Sequence, residues 1–313
     1  MNSTERIDPI ALHGAVDGYL GRSKELFDQN LLDISEEEFV ENTKKHGSGF
    51  SFPTNEGLRK ITKNPETNSI KSDKTLADFS DYLRTTIRGV KPIKEGGLYA
   101  GVNAFHHGHL AHLSKSEALI SVDYNKLVPY GFGFIVGMVG GLKTPEDFKN
   151  QAALLAANPK MIDDVFGKTG LGVGDSENKL AVVSRLLKSL VTVMDEFDPR
   201  LHGQNKIPPV FCEDKDAYNY FRTLILQNKV AGLKANLKAE SFIGVLATAL
   251  DGFKMELPEI NSLYVSSCYD PRFLKPIERE KIFKALKKQG HKNIQMIESF
   301  LNSGWIVYDV ENN

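Results

Sequence analysis

The chain has 313 residues, long enough for one large domain or for two. Hydrophobic residues at 41% and charged residues at 25% are globular values, which excludes disorder, collagen-like repeats and a membrane-embedded body. Lys and Arg (39) nearly balance Asp and Glu (40), so no net field recruits nucleic acid or an acidic lipid surface.

The N-terminus, MNSTERIDPIALHG, lacks the charged-then-apolar pattern of a cleaved signal, so a cytoplasmic location is expected, with export by a signal-less route left open. Leu12, Val16, Tyr19 and Leu20 recur at helical spacing, and helical character is expected from Ile7 to about Lys45. Gly47 to Ser72 is rich in Gly, Pro, Asn, Thr and Ser and reads as a surface loop. Leu76 to Ile87 reads as a second helix. Residues 1–95 are therefore expected to form a helical cap, and residues 96–313 the main domain.

Leu98 to Val102 is a short apolar run behind Gly96 and Gly97, as a buried strand requires. Asn103 can cap a helix running to about Lys115, and Ala118 to Val122 is a second buried strand ending at Asp123. Strand, tight turn, helix and strand make one βαβ unit, which implies a parallel sheet. Residues 126–200 read as a helical insertion with a glycine-rich break at Gly167 to Gly174. The glycines at 131, 133, 137, 140 and 141 suggest close helix packing. Beyond it, helices are expected at Asp216–Gln227, Ala239–Leu250, Pro276–Lys288 and Ile294–Leu301. Strands are expected at Val230–Leu237, Leu263–Ser267 and Trp305–Tyr308. About five buried strands alternating with helices predict a Rossmann-like, doubly wound, mostly parallel sheet.

The first strand-to-helix turn is the main candidate site. Gly101 lets a ligand approach the backbone, and Asn103 tolerates a left-handed conformation. Asp123, about 20 residues on, stands where an acid commonly takes ribose hydroxyls. An ordinary strand-to-helix turn with a solvated aspartate fits the same residues equally well. Four histidines follow at 106, 107, 109 and 112. His106 and His109 lie one helical turn apart, suited to a general base beside a ligand, to a shared metal, or to a polar helix face. No carboxylate or cysteine stands at a spacing that would complete a metal site, so none is assigned. Cys212 and Cys268 read as buried thiols. Gly167-Lys-Thr169 lacks the glycine at position 162 that a phosphate loop needs, and Gly170 to Asp175 follows a helix rather than a strand.

The segments Gly96–Asn103 (GGLYAGVN), Ala118–Asn125 (ALISVDYN), Leu142–Phe148 (LKTPEDF), Asn228–Asn236 (NKVAGLKAN) and Leu263–Asp270 (LYVSSCYD) resemble, in order and spacing, a bacterial family of Rossmann-like proteins. That family is similar to S-adenosylmethionine-dependent methyltransferases. The resemblance implies S-adenosylmethionine as cofactor, in a pocket bounded by Gly101, Asn103, Asp123 and Asn236. It places Ser266 and Ser267 near the reacting edge, and His106, His109 or Tyr269 as the group that orients or deprotonates a small-molecule or protein acceptor. Asn103 stands where a second glycine is usual, and Glu95 stands early for the preceding acid. The alternative expectation is a Rossmann-like module that binds a nucleotide or a protein partner without methyl transfer.

Overall fold

Strand β1, Leu98–Gly101, is buried along its whole length, which only the centre of a two-sided sheet allows. The computed structural model describes residues 7–24, 93–102, 105–123, 127–195, 210–235, 259–266, 276–288, 293–300 and 304–310. The helices expected at Leu76–Ile87 and Ala239–Leu250, the loop at Gly47–Ser72, and Asn103, Asn236, Ser267, Cys268 and Tyr269 lie outside the described residues.

Among the described residues the sheet has six strands, in the order β3-β2-β1-β4-β5-β6. The other strands are β2 (Ala118–Asp123), β3 (Val230–Lys234), β4 (Ile260–Ser266), β5 (Gln295–Phe300) and β6 (Gly304–Asp309). β1 pairs in parallel with β2 and β4, β2 with β3, and β4 with β5. Among the described strands only β6 runs antiparallel, forming a hairpin with β5. This is an α/β fold with a mostly parallel sheet, compatible with the Rossmann-like expectation.

Two sequence expectations are overturned. The helix after β1 starts at His107 with His106 at its N-cap position, so Asn103 is not its cap, and Ile294–Leu301 is not a helix, because Gln295–Phe300 is strand β5. Its partner β6 contains the run expected to be the last strand, so the sheet closes on a hairpin rather than on a fifth parallel strand. Glu298 explains the misreading. It is fully buried, an unusual place for a carboxylate, and is paired with Arg279 at 2.7 Å.

Eight helices accompany the sheet among the described residues: α1 (Pro9–Lys24), α2 (His107–Leu113), α3 (Leu127–Gly141), α4 (Pro145–Ala157), α5 (Ile162–Phe166), α6 (Glu177–Asp195), α7 (Lys215–Leu226) and α8 (Pro276–Lys288). α3 through α7 all lie between β2 and β3, so the expected helical insertion is the β2-to-β3 crossover itself. α4 begins at Thr144, whose hydroxyl oxygen accepts from the Asp147 amide, with Pro145 in the first turn. Asp214 caps α7 in the same way.

Helix α1, from the expected cap, shares the core of the main domain. It lies along α3 and against β3. A methyl group on Gly137 would stand 2.7 Å from Val16, and one on Gly140 would stand 2.5 Å from Cβ of Ala15. The glycine stripe of α3 is therefore the floor on which α1 rests. At its end, α1 also closes the outer edge of β3. Arg22 Nε donates to the Val230 carbonyl, and the Gly232 amide donates to the Ser23 hydroxyl oxygen. Those strand groups would otherwise be open to another chain.

Candidate functional site at the carboxyl edge of the sheet

β1 leaves the sheet earlier than its neighbours. Gly101, its last residue, pairs with Ser121 on one side and Tyr264 on the other. β2 then continues to Asp123 and β4 to Ser266. β2 and β4 thus each run two residues past the register partners of Gly101 and flank the end of β1, where buried Val102 still donates to the Tyr264 carbonyl; the edge between them is the notch. It lies where the chain order reverses, between β1 and β4, and ligands of open parallel sheets bind at such a point.

The structure brings Gly101, Asp123 and Ser266 to this edge. Asp123 is half-buried, and its carbonyl accepts from the Ala235 amide. That bond holds the end of β3, and with it the residue before Asn236, beside the notch. His106 joins the same edge: it is buried just before α2, with its ring 6.2 Å from that of Tyr264. His109 does not join it. Its ring faces His112 at 6.5 Å, and His112 lies against Tyr220 of α7 at 5.4 Å. Tyr220 in turn donates to the Ser116 carbonyl near the start of β2. No group of three or more His, Cys, Asp or Glu gathers as a metal would require, among the described residues.

A buried polar chain lies beneath the notch, and sequence reading did not single it out. The Tyr99 hydroxyl and Nδ1 of His107 share a hydrogen bond of 3.1 Å, and Nε2 of His107 shares another of 3.1 Å with the Ser121 hydroxyl. All three residues are fully buried. Burial, and then the neighbouring His106, push the His107 imidazole down to about 3, so it is neutral near neutral pH. Burial, with Tyr264 adding, pushes the Tyr99 phenol well above its ordinary value. His107 is thus a neutral structural link rather than a base. The signal available in sequence was parity: Tyr99 and Gly101 alternate onto one face of β1, and Ser121 is the register partner of Gly101.

The remaining candidates resolve into packing. A methyl group on Gly108 would stand 2.7 Å from Phe221 and 2.8 Å from Phe211, so this glycine admits aromatic side chains rather than a ligand. The Gly167–Gly174 loop turns its amides inward. Val173 donates to the Asp163 carboxylate, Leu171 to the Thr169 hydroxyl oxygen, and Gly172 to the Thr169 carbonyl. Bonds so committed leave no phosphate cradle at those positions. Cys212 is buried, and burial pushes its thiol up, away from the reactive thiolate. No described helix is long and apolar enough to cross a membrane.

Comparison with known proteins adds a family and no activity. No curated protein matches the chain. Residues 78–271, more than half of the chain and including β1 through β4, match the family described as Domain of unknown function (DUF7790), a description that carries no methyltransferase name. The chain belongs to the DUF7790 family.

Proposed function

We propose that the notch above β1 binds the nucleoside of S-adenosylmethionine, and that the protein is a methyltransferase whose acceptor is a small molecule or a protein. The observation that carries this reading is the position of Asp123 at the end of β2, on the rim of a notch at the switch point. A carboxylate there can accept from both ribose hydroxyls at once. The Gly101–Asn103 turn would face the amino-acid end, and Asn236, past β3, would approach the adenine. Ser266 and Tyr269 would stand on the side of the acceptor.

The cofactor supplies an already activated methyl group. The protein's work would be to align the acceptor in line with the carbon–sulfur bond and to exclude water. As the acceptor's new bond to carbon forms, the bond to sulfur breaks and S-adenosylhomocysteine leaves. His106, buried at the rim, would take the acceptor's proton, with Tyr269 orienting the acceptor.

One observation favours the second reading, a nucleotide- or protein-binding module without methyl transfer. The space beside Gly101 is filled by the chain's own Tyr99. Calorimetric titration of the full chain with S-adenosylmethionine and S-adenosylhomocysteine separates the two. The methyltransferase reading expects micromolar binding, about −8 kcal/mol, weakened at least about tenfold in Asp123→Ala. Absence of binding to both ligands in the wild type leaves the module reading. Equal binding by wild type and variant moves the ribose away from Asp123.

A further inference from the structure

We draw no further inference here: the strongest candidate, the Tyr130 hydroxyl enclosed in the first turn of α3 without a hydrogen-bond partner, belongs to the aromatic core with Phe134, and nothing among the described residues shows a ligand reaching it.

Discussion

His107 shows how far burial alone can change what a residue does. Four histidines within seven positions invite a reading as bases or metal ligands, and helical spacing cannot say which of them face inward. The structure gives them different roles. His107 is a neutral bridge between Tyr99 and Ser121, His106 sits at the rim, and His109 with His112 lies toward α7. A consequence follows for pH. Folded, the His107 imidazole is held down to about 3 from an ordinary value of 6.5. Between those values the unfolded chain binds a proton that the folded chain refuses. The stabilisation is complete above about pH 6.5 and is lost as the pH falls, at up to about 1.4 kcal/mol per pH unit. His107→Gln keeps one donor and one acceptor while removing the titration. Urea unfolding from pH 7 to pH 5 should cost the wild type about 2 kcal/mol more than the variant. Parallel losses would show that another group carries the acid sensitivity.

Elements were legible where their pattern was local, and obscure where a distant partner made them. β1, β2 and the α3 glycines could be read from short stretches. What the glycines pack against could not, since Ala15 lies more than a hundred residues earlier in the chain. β5 was misread for a similar reason. Gln295–Phe300 mixes residues that a helix tolerates, and its strand state is set by β4 and β6 on either side. Its buried Glu298 is matched by Arg279 of α8 and the Tyr308 hydroxyl, in a buried cluster. The α1–α3 contact offers a direct test of the packing. Gly140→Ala would force a methyl group against Ala15 and should cost about 1–3 kcal/mol in thermal or urea unfolding. Ala15→Gly makes room but weakens α1 by about 1 kcal/mol. The double variant should therefore be less destabilised than the two single changes added together, by about 0.5–3 kcal/mol. Strict additivity would mean that the helices do not meet at these residues.

At the scale of the molecule, the alternation of strands and helices announced the sheet, and Asp123 announced the edge worth examining. Neither disclosed how much chain the sheet needs. The family segment, residues 78–271, contains β1 through β4 but neither α1 nor α8, β5 and β6. The core ignores that boundary: Leu12, Val16 and Tyr19 share one apolar cluster with Met296, Ile297 and Val307. The backbone amide of Lys94, just ahead of β1, donates to the Gln295 side chain, and the Lys94 ammonium pairs with Asp309 at 3.4 Å. A fragment of residues 78–271 would lose α1 from the glycine floor of α3, reopen the edge of β3, and leave β4 as a second open edge. Each loss exposes apolar surface worth about 25 cal/mol per Å², against a net stability of about 5–15 kcal/mol for a whole domain. The full chain should therefore unfold in urea with coincident far- and near-ultraviolet circular dichroism transitions, while the fragment should lack a near-ultraviolet signal and bind a hydrophobic dye. A fragment that unfolds cooperatively at the full chain's midpoint would show that the family segment folds alone, with the N-terminal helix and C-terminal hairpin as additions to it.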